Sequence, residues 1–574
     1  MKRYILFICF FLNALILNGQ NTKFIVWGDT QFQNPDIFES FVHKTSLINP
    51  ELVLHVGDMI HGYTYNINNA AKQWERFKKQ IAPIHVPFYP TPGNHDITTK
   101  EIVDAYAEAW EFNDKLYYSF SINNCAFIVL NAFEDQDFYK ISDSQFNWLK
   151  KELETYKNRN IFISIHPPLH LENNNFEWKR IHNLLTQYNV RAVFTGHYHF
   201  YDFRQIDGID YFCLNTSGNM SLNTGFLGGY SHHMLAVEVN GDSLNYLVHT
   251  LDSIYSYDDV NVNERENSKK YFEPSKTFRL KMNMGNIDTT ISITINNNSN
   301  EMRVYKLNWI MPDTTWKIYP NHSVVNIPAQ SNITPEYKVV VSDPNLSRNE
   351  MPYLNVESDY KTLKNKINIS VQKISLFVPL VAYASLVNNE VIIDGILSEF
   401  DWQNKNKIYN LFTDANFTKE TENTEVTVLY NNTYLFIGIQ GAEPNPSGLS
   451  AAAYGEIPLV FADDDFELYF DTNLDLKTFY RLMVNPAGTI LSSGPEGRYT
   501  FTFDVAVKTG SDKWSAEFKI PFEQIKTLKP MPGDVWGFNI RRHRQQAETV
   551  QSDWSKMNER PPYQPEYFGL LEFR

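Results

Sequence analysis

The stretch Phe24-Ile25-Val26-Trp27-Gly28-Asp29-Thr30-Gln31 decides how the first part of this chain folds. Four apolar residues in a row predict a strand that is buried on both faces of a sheet. The glycine permits a sharp backbone turn, so the polar side chains that follow can point inward. Ligand sites in open α/β sheets lie just beyond the carboxyl ends of the strands. We therefore expect Asp29 and Gln31 to lie in a ligand site.

Polar runs of the same kind occur at four more places in the first 200 residues. They are Gly57-Asp58, Gly93-Asn94-His95-Asp96, His166-Pro167-Pro168 and Gly196-His197-Tyr198-His199. Apolar runs predict buried strands at Phe24–Trp27, Leu52–Val56, Phe127–Leu130, Ile161–Ile165 and Ala192–Thr195. Between them, two helical faces are predicted, one through Trp74, Phe77 and Ile81 and one through Phe146, Leu149, Leu153 and Tyr156. The second helix has a candidate N-cap at Ser142 or Ser144. This alternation predicts an α/β domain over residues 22–252.

The residue types in these runs are those of a metal site. Carboxylate oxygen combined with imidazole nitrogen suits Zn, Fe or Mn better than Ca. Alternate residues such as His197 and His199 share one side of an extended segment and can converge. A single Gly-Asp or His-x-His is common in turns and on surfaces, but five such runs in order predict a metal centre.

With these runs, residues 22 to about 250 resemble the calcineurin-like metallophosphoesterase family. The segment Ser144-Gln145-Phe146-Asn147-Trp148-Leu149 also resembles a helix of that family. The resemblance implies a two-sheet α/β sandwich that binds two divalent metal ions (Mn, Zn or Fe), with Asp58 bridging them. It further implies that the other ligands are Asp29, Gln31 and His199 for one ion and Asn94, His166 and His197 for the other. His95 would be the acid that assists the leaving group.

One position departs from the usual pattern of the family. Gln31 stands where the family usually has histidine, although members with glutamine occur. Because an amide oxygen is a poorer ligand for a transition ion than imidazole, we expect one metal to bind weakly. His61 and His170 could line the substrate pocket, but we expect each of them either to lie on the surface or to pack behind the ligands. Of the adjacent pair His232-His233, at most one side chain can reach it.

The rest of the chain is predicted to be β-rich. Residues 253–276 are polar and lack periodicity, which is typical of a linker. Residues 277–372 contain alternating segments such as Ile291 to Ile295 and Tyr337 to Val341, which predict an immunoglobulin-like β-sandwich. Residues 379–574 predict a second β-sandwich. The expected fold class is therefore α/β, a two-sheet metallophosphoesterase sandwich followed by two all-β sandwich domains.

The last segment carries a second resemblance. Its ordered pieces include Asp394-Gly395, Asp465-Phe466-Glu467-Leu468-Tyr469-Phe470-Asp471, Trp536-Gly537-Phe538-Asn539 and Ser552-Asp553-Trp554. Residues 380–574 resemble the family 9 carbohydrate-binding module, which holds a sugar between aromatic faces. Phe461 and Trp554 are the candidate sugar-binding residues. The alternative is that these aromatics fill the sandwich core, as expected for Trp402, Trp514 and Trp536.

The N-terminus and the composition narrow the location and the partners. Lys2 and Arg3 precede an apolar run from Tyr4 to Leu12, and small or polar residues follow at 18–20. This pattern predicts a signal peptide over residues 1–20. We therefore expect a secreted or periplasmic protein. The apolar stretch is short for a membrane span.

A net charge of −15 argues against nucleic acid as a partner. Three cysteines exclude a disulfide scaffold, and Cys125 and Cys213 are either paired or simply buried.

Four functions fit these observations. The first is a secreted metal-dependent phosphoesterase that acts on carbohydrate-linked substrates. The second is a dehydratase that eliminates water from uronic-acid oligosaccharides during degradation of an acidic polysaccharide, such as an algal one. The third is a sulfate-ester hydrolase on the same site, and the fourth is a non-catalytic sugar-binding protein. The sequence does not indicate an oligomeric state.

Overall fold

The computed structural model describes residues 21–574 apart from sixteen short segments. Those segments are 33, 114, 135–138, 173–175, 220–225, 274, 282–285, 343–350, 365, 404, 410, 414–417, 454–457, 499–501, 546–549 and 556–563. The predicted signal peptide, 1–20, lies outside the described residues. No helix within the described part of the chain is long and apolar enough to cross a membrane.

Two six-stranded sheets form the first domain. In spatial order, the first sheet contains Ile254–Ser256, Ser243–His249, Met234–Asn240, Thr22–Trp27, Leu52–His55 and Phe88–Pro90. The second contains Tyr118–Ile122, Cys125–Val129, Asn160–Ser164, Val190–Thr195, Ile209–Cys213 and Asp202–Ile206. The five predicted strands are all present, and neighbours among them are parallel. The α/β prediction is confirmed.

Helices cover the outer faces of the two sheets, at Pro35–Ile48, Ile67–Ile81, Lys100–Trp110, Asp143–Thr155 and Phe176–Leu185. Three of these helices begin at a capping side chain, which accepts a backbone N–H that has no partner inside the helix. Asn66 caps the second helix, Thr99 the third and Ser142 the fourth. The apolar faces predicted for the second and fourth helices are turned toward the sheets.

Phenylalanine rings fill the space between the two sheets. The Phe24 ring, from the first sheet, lies 5.0 Å from that of Phe127 and 5.1 Å from that of Phe162 in the second. All three side chains are buried. Stacking two sheets on this shared core brings the carboxyl ends of their central strands to one edge, where the metal-site runs begin.

The predicted linker contains regular structure. Its strand Ile254–Ser256 extends the first sheet, and its helix is Val262–Ser268. Arg265 forms an ion pair with Asp202 of the first domain over 2.7 Å, while the Glu264 carboxylate accepts from the backbone of Leu363 in the middle domain over 2.7 Å. The polar composition of 253–276 therefore reflects a packed connection between two domains.

The middle domain consists of three small sheets. In spatial order they contain Lys276–Arg279, Lys366–Phe377, Tyr353–Lys361, Arg303–Ile310 and His322–Ile327; Asn286–Ser292, Glu336–Ser342 and Lys317–Tyr319; and Ile295–Asn297 and Ser331–Ile333. The predicted segment Ile291 to Ile295 is split between two strands. One buried apolar cluster joins the sheets, as expected for a sandwich.

The C-terminal domain is built from one thirteen-stranded sheet. Its main path runs through Gly497–Arg498, Ile490–Gly494, Tyr480–Val484, Asp465–Asp471, Val535–Arg544, Gly569–Phe573, Val381–Leu386, Thr424–Tyr430, Tyr434–Ala442, Lys513–Pro521 and Asp504–Thr509, with Lys407–Tyr409 and Val550–Asp553 as side branches. The helix Phe400–Gln403 precedes the side strand Lys407–Tyr409. Phe466 and Trp514, from strands far apart in this order, stack at 3.8 Å. The sheet therefore folds back on itself as a sandwich.

Candidate metal centre

Asp29 and His199 meet at one end of the site. Asp29 is fully buried just after the strand Thr22–Trp27, and its Oδ2 lies 2.9 Å from Nε2 of His199. Its Oδ1 accepts a hydrogen bond from the backbone N–H of His197 over 3.2 Å. The first and last polar runs of the sequence are thus joined through one carboxylate.

Asp58 lies at the centre of the cluster. Its Oδ2 is 3.2 Å from Nε2 of His166 and accepts a hydrogen bond from the Gln31 amide over 2.9 Å. Its Oδ1 accepts from the backbone N–H of His95 over 2.8 Å. Asp58 therefore contacts residues of both predicted ligand sets, as a bridging carboxylate must.

The other set surrounds His166. The His166 Nδ1 is 2.8 Å from the carbonyl of Val56, so the ring donates there and directs Nε2 into the site. His197 packs against it with a ring separation of 5.1 Å, and ligand atoms of Asp58, His166 and His197 lie within 4.8 Å of one another. Asn94, the remaining predicted ligand of this set, lies on the loop that also carries His95.

Several of these residues adopt a left-handed backbone. The φ angles of Gln31, Asp58, His197 and His199 are +43°, +56°, +72° and +52°. This conformation is unfavourable for residues with a Cβ, at about 1–3 kcal/mol each, and it is found mainly at functional sites. A neighbouring glycine is required for steric reasons, because a Cβ on Gly93 would lie 2.2 Å from Oδ1 of Asp58.

Asp96 holds the loops together beneath the site. Its buried carboxylate accepts backbone hydrogen bonds from Asp58 at 2.8 Å, Met59 at 2.9 Å and Gly93 at 3.0 Å. Burial and the charge of Asp58 raise the pKa of Asp96 well above its usual range. The residue supports the ligands and has no predicted role as a ligand itself.

The donor set fits a divalent metal pair. The buried Oδ1 of Asn94 has no hydrogen-bond partner among the described residues, and Nε2 of His166 lies against the Asp58 carboxylate at 3.2 Å. Buried polar atoms are normally satisfied, so these two atoms are suited to coordinate a metal ion. Oxygen and imidazole donors together match Zn, Fe or Mn.

The electrostatics favour cations in the same place. Burial would raise the pKa of Asp58, but His166 and His95 outweigh it and hold this pKa well below its usual range. Burial would lower the pKa of His166, but Asp58 and Asp29 raise it to about 9. In His197, burial and the nearby His166 lower the pKa to about 4. Buried carboxylates thus draw positive charge to the centre.

His95 stands at the open side of the cluster. Its Nδ1 lies 2.6 Å from the carbonyl of His61, which leaves Nε2 directed toward the site at 3.9 Å from Oδ2 of Asp58. The Tyr63 ring meets the His95 ring edge-on at 4.5 Å, and the Tyr63 hydroxyl accepts from Asn94 over 3.0 Å. His95 is therefore held in one orientation from two sides.

Comparison with known proteins agrees with this geometry. Residues 22–201 match the family model of calcineurin-like phosphoesterases. They form a calcineurin-like phosphoesterase domain. Residues 393–574 match the model described as carbohydrate family 9 binding domain-like. We call these two regions the phosphoesterase domain and the C-terminal domain.

Relatives of the first domain include phosphoesterases. A probable glycerophosphodiester phosphodiesterase GpdQ from Arcobacter nitrofigilis is 25% identical over 202 residues, which span 32% of this chain and 71% of that protein. The serine/threonine-protein phosphatase CPPED1 from Mus musculus is 23% identical over 250 residues, or 40% and 77% of the two chains. A family 9 carbohydrate-binding module from Caldicellulosiruptor kristjanssonii, solved with cellotriose, is 17% identical, covers 34% of this chain and 93% of its own, and has a TM-score of 0.28.

The two candidate sugar-binding aromatics lie in different surroundings. Trp554 is 5% exposed and packs in the core of the C-terminal domain, against Phe538 and Gly569. Its faces are covered, so the structure places it with Trp402, Trp514 and Trp536, the aromatics expected in the core. Phe461 is half-buried and lies against Tyr63 of the phosphoesterase domain at 5.2 Å.

His170 and His232 lie outside the ligand set. His170 is buried against Tyr211, and burial lowers its pKa to about 3. The Nε2 of His232 lies 2.6 Å from the carbonyl of Asn219. The side-chain amide of Asn219 donates to Oε1 of Gln31. His232 therefore contacts the residue that holds Gln31.

Several residues around the site carried no signal in the sequence. Asn219 fixes Gln31, Tyr139 places its hydroxyl 2.7 Å from Nε2 of His197, and Tyr63 packs on His95. None of them follows a strand in a recognisable run. A loop aromatic or asparagine is too common to indicate a site without the fold.

Proposed function

We propose that this protein is a secreted, metal-dependent phosphodiester hydrolase that acts on carbohydrate-linked substrates. The observation that carries the proposal is Asp58, which contacts both ligand sets while His95 stands 3.9 Å away. Its relatives include a probable glycerophosphodiester phosphodiesterase. The match of residues 393–574 to a carbohydrate-binding family supports the carbohydrate part.

The proposed metal pair would be held by the side chains described above. When bound, two divalent cations supply a water of lowered pKa and offset the charge on the phosphoryl oxygens. Asp58 would bind between them, with Asp29, Gln31 and His199 on one side and Asn94, His166 and His197 on the other. Tyr139 and Val56 hold the imidazoles of His197 and His166 in place.

His95 would act on the leaving group. Water forms the new O–P bond, the ester O–P bond breaks, and the leaving oxygen needs a proton. The His61 carbonyl accepts from Nδ1 of His95, so Nε2 is the atom that delivers this proton. Protonation by His95 accelerates the reaction most when the leaving group is an alkoxide, because an alkoxide is a poor leaving group without a proton.

Elimination of water from a uronic acid is the second candidate. Gln31 favours it, because its amide donates to Asp58 and the position lacks the imidazole usual in phosphoesterases. A cation pair would then stabilise the charge that develops when His95 removes the proton next to the uronate carboxylate.

One assay panel separates these functions. Purified protein, loaded with Mn, Zn or Fe, is incubated with bis(p-nitrophenyl) phosphate, p-nitrophenyl sulfate and a uronate oligosaccharide. Release of p-nitrophenol from the phosphodiester alone supports the proposal. Release from the sulfate alone, new ultraviolet absorbance of an unsaturated uronate, or no turnover would instead support the sulfatase, the dehydratase or the non-catalytic alternative.

The location has its own test. We propose that residues 1–20 are removed as a signal peptide on export. Cell fractionation followed by N-terminal sequencing should find a mature protein that begins near residue 21 in the periplasm or the medium. A full-length chain in the cytoplasm would contradict export.

A further inference from the structure

The C-terminal domain reaches the catalytic loop of the phosphoesterase domain. Besides the contact between Phe461 and Tyr63, the backbone N–H of Tyr65 donates to the carbonyl of Ala462 over 3.3 Å. Tyr65 and Phe461 also pack on a small apolar cluster of the C-terminal domain. Residues 460–462 and 63–65, about 400 residues apart in sequence, thus form one packed contact.

A second route reaches the same loop through hydrogen bonds. The buried amide of Asn69 donates to the carbonyl and the side-chain oxygen of Gln545, over 2.7 and 3.0 Å. Gln73 donates to Asn69 over 2.8 Å and accepts from the backbone N–H of Gly62 over 2.9 Å. Gly62 directly follows His61, whose carbonyl orients His95.

The loop between these contacts has little freedom of its own. Tyr63 has a left-handed backbone, with φ at +46°, and Gly62 is at +65°. A Cβ on Gly62 would stand 1.8 Å from the carbonyl oxygen of His95, so the two segments touch directly. A strained conformation of this kind persists only where surrounding contacts enforce it. Some of the contacts that hold this loop in its strained conformation come from the C-terminal domain.

We propose that Phe461 and Gln545 are positioning residues for His95. Phe461 acts through the ring of Tyr63, and Gln545 acts through Asn69, Gln73 and Gly62. The C-terminal domain thereby sets the orientation of the group that protonates the leaving oxygen. This inference rests on the proposed function for its kinetic part, whereas the coupling between Phe461 and His95 is a property of the structure alone.

The kinetic test compares leaving groups in the full-length, metal-loaded protein. The variants are Phe461→Ala, Phe461→Tyr and Gln545→Ala, with Tyr434→Ala as a control that removes an aromatic packed on Phe436 within the same domain. Because a shift of about 1 Å in a catalytic group can lower a rate as much as 100-fold, we expect kcat for an alkyl phosphodiester to fall about 10- to 100-fold in Phe461→Ala. The nitrophenyl ester should lose much less, and Phe461→Tyr should recover most of the rate.

A spectroscopic readout does not depend on turnover. In ¹⁵N-histidine NMR, the His95 ring signals, assigned by their loss in His95→Asn, should move in Phe461→Ala and Gln545→Ala but not in Tyr434→Ala. Unchanged His95 signals together with unchanged dependence on the leaving group would overturn the inference. If the wild-type protein hydrolyses no phosphodiester, the proposed function fails, and the NMR shifts alone decide whether the C-terminal domain positions His95.

Discussion

The side-chain amide of Gln31 donates a hydrogen bond to Oδ2 of Asp58 over 2.9 Å. Its carbonyl oxygen accepts from Asn219, so both ends of the amide are fixed. In this orientation the N–H group faces the carboxylate that both ligand sets share. Residue 31 therefore supplies no imidazole ligand beside Asp29 and His199. The metal ion at these residues should bind more weakly than the second metal ion.

Replacing Gln31 with histidine should strengthen the weaker site. Imidazole is a better ligand than an amide for Zn, Fe or Mn, so Gln31→His should keep about two metal equivalents after mild chelation, where the wild type keeps about one. Metal content by mass spectrometry checks this, with the exposed Gln403→His as the control. Equal retention in Gln31→His and wild type would show that this position does not limit metal binding.

The leaving-group dependence should reveal the role of His95. Loss of a general acid typically lowers a rate by about 10²- to 10⁴-fold, so His95→Asn should lower kcat by that factor for an alkyl ester. A p-nitrophenyl ester should be affected less, because nitrophenolate leaves without a proton. Steady-state kinetics on both esters, at constant metal content, provides the measurement. An equal loss on both would assign His95 a structural role.

The buried ion pair between Arg481 and Glu467 should make the C-terminal domain sensitive to acid. Two guanidinium nitrogens lie 2.9 and 2.8 Å from Oε2 of Glu467, which is fully buried. Burial would raise the pKa of Glu467, but Arg481 and the nearby His543 and Arg541 lower it to about 2. A carboxylate whose pKa is lower in the folded than in the unfolded protein stabilises the fold at pH values above its unfolded pKa of 4.5. This contribution is lost as the pH falls toward 2, the pKa in the folded protein.

Removing that arginine tests the pair. Because Arg481→Met leaves a buried charge without its main partner, we expect the free energy of unfolding to fall by about 3–5 kcal/mol at pH 7. The difference from wild type should shrink between pH 4.5 and pH 3, where Glu467 takes up a proton in the variant. Urea unfolding followed by fluorescence at both ends of this range gives the values. A difference that grows in acid would contradict the assignment.

The sequence predicts the strands that carry the site because they are unbroken apolar runs. Ile25 and Val26 point to opposite faces of the first sheet and are both fully buried, and a continuous apolar run of this kind can be recognised without knowledge of the partner strand. Close contacts join six of the predicted ligands, Asp29, Gln31, Asp58, His166, His197 and His199. All six lie within four residues after the end of a buried strand, and this feature is local and can be recognised in the sequence.

The parts that the sequence did not indicate depend on contacts between distant segments. Asn219 reaches Gln31 across 188 positions, and Gln545 reaches Asn69 across 476. Neither contact produces a periodicity or a residue spacing that can be recognised in the sequence. Phe461 illustrates the same limit: its family resemblance suggests a sugar platform, whereas its ring packs on Tyr63, a contact that only the docking of two domains creates.

The most direct measurement is phosphodiester hydrolysis by wild type and Asp58→Asn, each assayed with and without added metal. Asp58 contacts ligands of both sets, Gln31 and His166, so its conversion to an amide should remove at least one bound metal. We predict metal-dependent release of p-nitrophenol from bis(p-nitrophenyl) phosphate by the wild type and a loss of about 10³-fold or more in the variant. Full turnover by Asp58→Asn, or turnover by the wild type that survives complete removal of metal, would contradict a hydrolase built on this centre.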